Sequence, residues 1–292
     1  MAKRVAVIGS GGMGSWFARY FRSRGASVTV TDRDRKKARD VASNIRARYA
    51  PTNVDAARDS DIVVLATPTN AIPSVVDEIL PTLKRNALLL DISAVKSAVV
   101  PSLLSAQRRG ITVASIHPMF GPSARRLRGR AVIAVSIGKD LRGLKAVRQM
   151  FSEARILVTN PAIHDRQVAE TLALPHFLNM AFATLVSRKS FGRTKQFAGR
   201  TFDLQMLLAE TVATEPETSA DIQLLNKDFD AVLSELQHEI GVLARIIRRR
   251  DRKILVARYR QVRRLLSVDP EFGLAQEKFA RVHELLSSMT RK

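Results

Sequence analysis

The chain has 292 residues, 46% hydrophobic residues, a net charge of +21 and no cysteine. This size allows one large domain or two with a real core, and the missing cysteines exclude disulfides and thiolate metal sites. No apolar run approaches the roughly 18 residues of a membrane span, and the basic start reaches glycine too early for a signal peptide, so we expect a cytoplasmic protein.

Short apolar runs alternate with helical patterns in the first half of the chain. The strand-like runs are RVAVIG (4–9), SVTVTD (27–32), DIVVLATP (61–68), ALLLDIS (87–93), ITVASI (111–116) and AVIAVSI (131–137). Apolar runs of this length, separated by helices, are typical of a parallel sheet covered on both faces. They predict an α/β fold of the Rossmann type, with a doubly wound parallel sheet.

After about residue 160 the strand-like runs disappear and only helical patterns follow. The clearest pattern predicts one long helix from 220 to about 249, with an apolar stripe of Ile222, Leu225, Phe229, Val232, Leu236, Ile240, Leu243 and Ile247. We therefore predict one domain over 1–162 and an all-helical domain over 163–292. The stripe fits either a homodimer interface through the C-terminal helices or burial within one subunit.

A glycine-rich turn follows the first strand and opens the first helix. The sequence GSGGMG provides Gly9, Ser10, Gly11, Gly12, Met13 and Gly14. In this context the G-x-G-x-x-G pattern is typical of a dinucleotide-binding turn, in which the glycines allow a tight turn, close approach of a diphosphate and close helix packing. The anion is expected at the N-terminus of the helix. Residues 1–162 are thus predicted to bind a dinucleotide.

Three further positions complete the predicted cofactor site. Asp32 ends the second strand, where a carboxylate accepts hydrogen bonds from a ribose 2′-hydroxyl and repels a 2′-phosphate, which favours NAD. Arg33 and Arg35 follow at once and favour a phosphate, so NADP is not excluded. Thr67 and Pro68, just after the third run, are expected to line the same crevice.

His117 differs from the other four histidines because it stands where a predicted parallel strand ends, directly before Pro118. Ligands of such sheets bind at the strand ends, and an imidazole beside a nicotinamide can take a proton from a hydroxyl while hydride leaves the same carbon. We predict that His117 is catalytic. His176, after Pro175 in a helical stretch, fits a core residue or a site residue equally, and His164 fits a residue beside a helix cap.

The residue types and spacings of common metal sites and of a nucleophilic serine turn are absent from the sequence, so we expect no metal. The positive charge favours an anionic partner: nucleic acid, a nucleotide or a carboxylate substrate. The basic residues are scattered and not interleaved with aromatic residues, which makes nucleic acid the less favoured partner.

The chain resembles the prephenate and arogenate dehydrogenases of tyrosine biosynthesis. The resemblance rests on GSGGMG, DISAVKS (91–97), HPMFGP (117–122), HDRQVAE followed by PHF (164–177), and EPETSADIQLLN (215–226). It implies a nucleotide-binding domain followed by a helical dimerisation domain. It also implies an NAD-dependent oxidative decarboxylation, in which His117 accepts the proton of the ring hydroxyl, His176 helps to place the substrate, and Ser93 and Lys96 border the nicotinamide.

The sequence departs from the family pattern where the family binds its substrate. In the D-x-x-S-V-K motif of the family, the serine is replaced here by Ala94, and a serine, Ser93, stands one position earlier. Ser123 stands where many members have an acidic residue soon after the HPM motif. Where the family has an arginine that binds a substrate carboxylate, this chain has Glu210. The stretch KSFGRTKQFAGR (189–200) offers Arg193 or Arg200 as substitutes.

Three alternatives remain open at this point. The substrate is prephenate, arogenate or an amino analogue of prephenate, for which Glu210 is a natural partner. The β-hydroxyacid dehydrogenases share the domain plan. They have a lysine four residues before an asparagine, whereas here the residue four positions before Asn179 is Pro175, which argues against this family. A basic, NAD-binding protein without enzymatic activity is favoured only by the charge and by the lost arginine.

Overall fold

The computed structural model of the protein describes residues 2–188 and 191–289. The described residues form two compact units. The first contains the chain up to Ala173 together with Pro216–Asp228, and the second contains Leu174–Glu215 and the chain from Phe229 onward. None of the helices in the described ranges is long and apolar enough to cross a membrane.

An eight-stranded sheet forms the centre of the first unit. Its strands are β1 (Arg4–Ile8), β2 (Ser27–Thr31), β3 (Arg48–Tyr49), β4 (Ile62–Leu65), β5 (Leu88–Asp91), β6 (Thr112–Pro118), β7 (Ala131–Val135) and β8 (Arg155–Thr159). They lie in the order β3-β2-β1-β4-β5-β6-β7-β8, and only the β6–β7 pair is antiparallel. The predicted Rossmann-type fold is confirmed, with the antiparallel pair added on one side.

Helices cover both faces of this sheet. Those of the first unit are α1 (Gly12–Ser23), α2 (Arg35–Asn44), α3 (Asn53–Ala57), α4 (Ile72–Ile79), α5 (Val100–Arg108), α6 (Arg142–Met150), α7 (Pro161–Val168) and, later in the chain, α11 (Pro216–Leu224). Side chains of β1 alternate between the two faces: Val5 joins a core cluster with Trp16 of α1, and the next residue, Ala6, joins a second cluster with Leu103 of α5. The sheet is therefore buried on both sides.

The second unit is helical. Its helices are α8 (Leu174–Ser187), α9 (Phe191–Gln196), α10 (Arg200–Ala213), α12 (Phe229–Arg248), α13 (Arg252–Leu266) and α14 (Ala275–Met289). A π-helical turn, Ala169–Ala173, directly precedes α8, whose second residue is Pro175. Helix α10 packs along α8, and α12 packs against α13.

The structure differs from the predicted elements at three places. The strands β3 and β8 were not predicted: β3 has only two residues, and the side chains of β8 lack a buried apolar face. The predicted helix from residue 220 to 249 is two helices, α11 and α12. The break stands where Asn226 is buried and its side-chain amide donates to the backbone carbonyl of Asp165 at 2.8 Å, a contact that one straight helix does not provide.

The compact units and the predicted domains meet at different residues. The predicted boundary lies after residue 162, whereas the first unit extends through α7 and the π-helical turn to Ala173. Val168, Ala169 and Ala173 are buried, which explains why this segment belongs to the packing of the sheet unit.

Candidate active site

The three glycines of the G-x-G-x-x-G pattern have three different surroundings. Gly9 has a φ of +100°, and a Cβ there would lie 2.4 Å from the carbonyl oxygen of Ala66. A Cβ on Gly14 would lie 1.9 Å from the carbonyl oxygen of Gly9, while a Cβ on Gly11 would meet nothing within 4 Å. The turn is thus closed at Gly9 and Gly14 and open at Gly11, where a diphosphate would approach the N-terminus of α1.

Asp32 is tied to the glycine-rich turn. Its Oδ2 accepts hydrogen bonds from the Ser10 backbone N–H at 2.5 Å and from the Ser10 hydroxyl at 2.8 Å, and its Oδ1 accepts one from the Asp34 N–H at 2.9 Å. Arg33 next to it is exposed. The carboxylate of Asp32 is therefore held at the glycine-rich turn by hydrogen bonds from uncharged donors.

Thr67 belongs to the same corner of the sheet. Its backbone N would lie 2.9 Å from a Cβ on Gly9, and its hydroxyl is buried without a hydrogen-bond partner in the described ranges. A buried hydroxyl of this kind is costly unless a ligand completes it. The residues predicted for the cofactor from Gly9 to Thr67 thus share one edge, and the open space at Gly11 with the unpaired Thr67 hydroxyl fits a dinucleotide.

His117 lies at the carboxyl end of β6, on the same edge of the sheet. Its Nδ1 is 3.0 Å from Nε2 of His164, and Nδ1 of His164 is 2.7 Å from Oδ1 of Asp165. The side chains are almost fully buried, with 8% of His117 and 2% each of His164 and Asp165 exposed. The three groups form a hydrogen-bonded chain that ends at the carboxylate.

The carboxylate of Asp165 is held by backbone donors as well. It accepts from the backbone N–H groups of Lys96 at 2.9 Å and Ser97 at 2.7 Å. Burial raises the pKa of Asp165, but the hydrogen bonds from His164, Lys96 and Ser97 outweigh it, so the pKa lies below its usual range. Asp165 is therefore ionised and can only accept hydrogen bonds.

This fixes the direction of the hydrogen bonds when each ring carries one proton. Because Asp165 only accepts, Nδ1 of His164 donates to it, and Nε2 of His164 then accepts from Nδ1 of His117. Nε2 of His117 is left with a free lone pair. Burial, and secondarily the charge of Lys96 and the proximity of His164, lower the pKa of His117 well below 6.5, which keeps this ring neutral. His117 can thus act as a base.

Sequence reasoning missed the role of His164 and Asp165. We expected His164 beside a helix cap, and α7 is indeed capped, by the Asn160 side chain accepting from the Ile163 N–H at 2.9 Å. The contact with His117 joins residues 47 positions apart, so no local pattern contains it. The one available signal is the acidic residue directly after a histidine at the start of a helix.

Lys96, which the resemblance places at the border of the nicotinamide, lies in the interior of the first unit. Its ammonium group is fully buried and donates to Oδ2 of Asp91 at 2.8 Å and to the carbonyl of Ile116 at 2.7 Å. Burial lowers the pKa of Lys96, and the neighbouring Asp91 carboxylate opposes that shift. Because Ile116 directly precedes His117, this buried pair holds the strand end on which the imidazole sits.

Ser93 also points into the interior of the first unit. It is 6% exposed, and its hydroxyl donates to the carbonyl of Val95 at 3.2 Å. Its backbone N–H donates to Oδ1 of Asp91, which belongs to the buried pair with Lys96. In this geometry Ser93 supports the loop after β5, and its hydroxyl accepts from the ammonium group of Lys96 at 3.5 Å.

The remaining predicted substrate residues belong to the second unit. His176 in α8 is partly buried, its Nδ1 has no hydrogen-bond partner in the described ranges, and burial lowers its pKa. Arg193 in α9 is exposed. Arg200 is also exposed, begins α10 and borders a cavity of about 660 Å³, where its guanidinium lies 6.0 Å from the ring centroid of Phe279. Glu210 is exposed on α10, and residues 189 and 190 of the basic stretch lie outside the described residues.

Among residues 2–188 and 191–289, no cluster of three or more histidine and carboxylate side chains could hold a metal ion. The fold therefore defines a dinucleotide-binding protein with a neutral histidine at the same edge of the sheet as the glycine-rich turn, an arrangement that suits a dehydrogenase.

The chain belongs to the prephenate dehydrogenase family. The family model of the nucleotide-binding domain matches residues 17–156, and that of the dimerization domain matches residues 160–266. This confirms the predicted family, and with it the class of dehydrogenases.

Several relatives resemble the chain over most of its length. A probable arogenate/prephenate dehydrogenase of Methanocaldococcus jannaschii is 27% identical over 85% of this chain, but the match spans only 58% of that protein. A 4-amino-4-deoxyprephenate dehydrogenase of Streptomyces pristinaespiralis is 29% identical, over 90% of each chain. The crystal structure of the Aquifex aeolicus prephenate dehydrogenase with hydroxyphenyl propionate and NAD⁺ is 20% identical with a TM-score of 0.75, over 92% of this chain and 99% of that one. At this identity it shows a shared fold.

Proposed function

We propose that the protein catalyses the NAD-dependent oxidative decarboxylation of prephenate or a close analogue. The observation that carries this proposal is the chain His117–His164–Asp165 at the edge where the glycine-rich turn lies. A neutral, oriented imidazole is what the oxidation of a ring hydroxyl requires. Membership of the prephenate dehydrogenase family supports this class of substrate.

The proposed reaction uses His117 as the base. Nε2 of His117 accepts the proton of the C4 hydroxyl of the ring, and the C4–H bond breaks with loss of hydride. The ring carboxylate leaves as CO₂, and its bonding electrons complete the aromatic ring, which provides the driving force. When bound, the nicotinamide cofactor supplies the hydride acceptor. His164 keeps the lone pair of His117 directed outward, and the charge of Asp165 favours the imidazolium that forms.

We assign NAD rather than NADP to the cofactor site. The carboxylate of Asp32 stands at the glycine-rich turn, where it would accept from a ribose 2′-hydroxyl and repel a 2′-phosphate. Its hydrogen bonds come from Ser10 and Asp34, so no cation neutralises it in the described structure. Arg33 is exposed and opposes this preference, which makes the ratio of the two affinities a direct test.

An amino analogue of prephenate is the second candidate substrate. The exposed Glu210 stands where the family has a substrate-gripping arginine, and a carboxylate there attracts an ammonium group and repels a carboxylate. The relative from Streptomyces pristinaespiralis bears the name of an enzyme for such a substrate. In either case we propose that Arg193 or Arg200 supplies the cation for a substrate carboxylate and that His176 contacts the substrate.

The dimer is part of the proposal. The match to a dimerization domain and the exposed apolar side chains of α12 and α13 support a homodimer formed by the helical units.

The first experiment measures NADH formation at 340 nm with NAD⁺ and, in separate assays, prephenate, arogenate and the amino analogue. The His117→Asn variant is compared with wild type, and His238→Asn, an exposed histidine of α12, is the matched control. We expect turnover of one substrate, a loss of order 10²-fold or more in His117→Asn, and wild-type rates in the control. NAD⁺ binding without turnover of any of the three substrates would refute the proposed reaction.

A further inference from the structure

A basic segment connects β6 to β7 at the edge where His117 lies. Because β6 runs toward this edge and β7 runs antiparallel away from it, residues 119–130 stay there. The segment contains Arg125, Arg126, Arg128 and Arg130 and no acidic residue. It therefore brings four positive charges to the edge of the predicted cofactor site.

The segment is fixed on helix α1. The indole N–H of Trp16 donates to the carbonyl oxygen of Ala124 at 2.6 Å, and the ring of Phe120 lies 4.9 Å from that of Trp16. Leu127 is buried, with 2% of its surface exposed, and the Met119 N–H donates to the carbonyl of Ala131 at 3.0 Å, which closes the base of the segment. These contacts hold Ala124, and the two arginines that follow it, beside the first turns of α1.

The two arginines carry unused charge. Arg125 and Arg126 are exposed, while Leu127 between them and Arg128 anchors the segment. None of the ion pairs found among residues 2–188 and 191–289 includes either guanidinium. The contacts of the segment with α1 fix the positions of Arg125 and Arg126, and their exposed side chains are available to bind an anion.

We propose that Arg125 and Arg126 bind the diphosphate of the dinucleotide. Trp16 stands four residues after Gly12, the first residue of α1, which is about 6 Å along the helix axis. The diphosphate is expected at this N-terminus, beside the open space at Gly11. Two guanidinium groups approaching from the β6–β7 segment would meet its oxygens opposite the glycine-rich turn, with the bidentate geometry that arginine offers to phosphate.

This inference rests on the proposed cofactor but not on the proposed substrate. It assigns part of the large positive charge to cofactor binding, and it leaves Arg193 and Arg200 free for the substrate. It also predicts that the affinity for NAD⁺ depends on salt through these two side chains.

The test measures the dissociation constants of NAD⁺ and of ADP from the fluorescence of Trp16, the only tryptophan of the chain. The variants are Arg125→Ala, Arg126→Ala, their double variant and the double lysine variant. Arg109→Ala is the matched control, since this exposed arginine precedes the start of β6 at the opposite edge of the sheet. Circular dichroism establishes that each variant is folded.

We expect both ligands to bind about tenfold more weakly to each alanine variant and on the order of 100-fold more weakly to the double variant, with a smaller loss for lysine. The salt dependence of binding should fall in the same order, and the control should bind as wild type does. Unchanged dissociation constants in the folded double variant would overturn the proposal, and so would a rise confined to the substrate KM. Wild-type binding of NAD⁺ without turnover would refute the proposed reaction and leave this proposal standing.

Discussion

The two units of the molecule differ in how far their apolar side chains are buried. In the first unit, every residue of β4 and β5 is buried, with at most 8% of any apolar side chain exposed. In the second unit, large apolar side chains of α12 to α14 remain exposed, among them Ile240 at 51%, Ile247 at 57% and Leu265 at 66%. The sheet unit therefore completes its core within one chain, and the helical unit does not.

The chemistry is divided along the same line. His117, His164 and Asp165 all belong to the sheet unit, and the returning segment with Asn226 adds a hydrogen bond to the Asp165 carbonyl. The residues that we propose to contact the substrate, His176 and Arg193 or Arg200, belong to the helical unit. The proposed cofactor site and the proposed base thus lie within the fold of one unit, whereas the exposed apolar surface of the other unit is what a homodimer interface would bury.

The largest effect is expected from breaking the hydrogen-bonded chain inside the sheet unit. In His164→Asn, Nδ1 of His117 loses the acceptor that fixes its tautomer, so we expect kcat/KM to fall about 10- to 100-fold with the NAD⁺ dissociation constant unchanged. A protonated His117 cannot act as a base, and its pKa lies below 6.5, so wild-type kcat/KM should stay flat down to 6.5 and fall only at lower pH.

The same variant should move this pH limb. Because His164 is one of the groups that lower the pKa of His117, its removal should shift the limb upward, toward 6.5. A pH profile of kcat/KM measures the shift. A variant that loses activity with an unmoved limb would show that His164 acts only on folding.

The next effect separates two glycines of one turn. Gly14→Ala places a Cβ against the backbone carbonyl of Gly9, which cannot give way without moving the turn, so we expect a loss of about 3 kcal/mol or more in the free energy of unfolding. Gly11→Ala meets open space and should change stability by only about 0.5 kcal/mol. Chemical denaturation measures both.

For NAD⁺ binding, in contrast to stability, Gly11→Ala is the variant with the large expected effect. Gly11→Ala should weaken NAD⁺ binding at least tenfold, because its methyl group occupies the space that the diphosphate needs. Normal NAD⁺ binding by this folded variant would remove the open space at Gly11 from the cofactor site.

The helical unit is tested at its exposed apolar stripe. Ile247→Asp puts a charge in the proposed dimer interface, and we expect the dimer dissociation constant to rise on the order of 100-fold. Analytical ultracentrifugation measures the change. Leu157→Asp, at a 43% exposed leucine on β8 of the sheet unit, is the control and should leave the dimer intact. Equal weakening by both variants would place the interface elsewhere.

The sequence predicted what is periodic or local and missed what joins distant segments. The strands around Val5, Val63 and Leu89 follow from unbroken apolar runs, and the glycine-rich turn follows from its position between a strand and a helix. The two-residue β3 carries no pattern of its own, and the break after α11 depends on the carbonyl of a residue 61 positions earlier.

The same limit applied at the site. The position of His117 at the end of a strand was predictable, because the strand and the motif are adjacent in the chain. Its partner His164 and the burial of Lys96 arise only when α7 and the loop after β5 meet β6. Buried polar networks of this kind are satisfied by tertiary contacts, which periodicity does not encode.

The smallest effect compares the two units at one matched turn in each. Arg46 after α2 and Arg250 after α12 have left-handed φ values of 53° and 56°. Both turns are closed by similar bonds: Ala47 N–H to Ala42 O at 2.8 Å in the first, and Asp251 N–H to Ile246 O at 3.2 Å in the second. Glycine relieves the strain of an L side chain there, so Arg46→Gly and Arg250→Gly should each stabilise the protein by about 0.5–1 kcal/mol.

The readout is the unfolding midpoint, with Arg48→Gly in β3 as the control, since its backbone is extended and glycine there should destabilise slightly. If the helical unit gains its stability by pairing with a second copy, its unfolding midpoint should rise with protein concentration. Arg250→Gly should then raise this midpoint further at every concentration. The gain from Arg46→Gly should belong to a transition that does not depend on concentration. A midpoint independent of concentration in all variants would show that the helical unit, despite its exposed side chains, is stable alone.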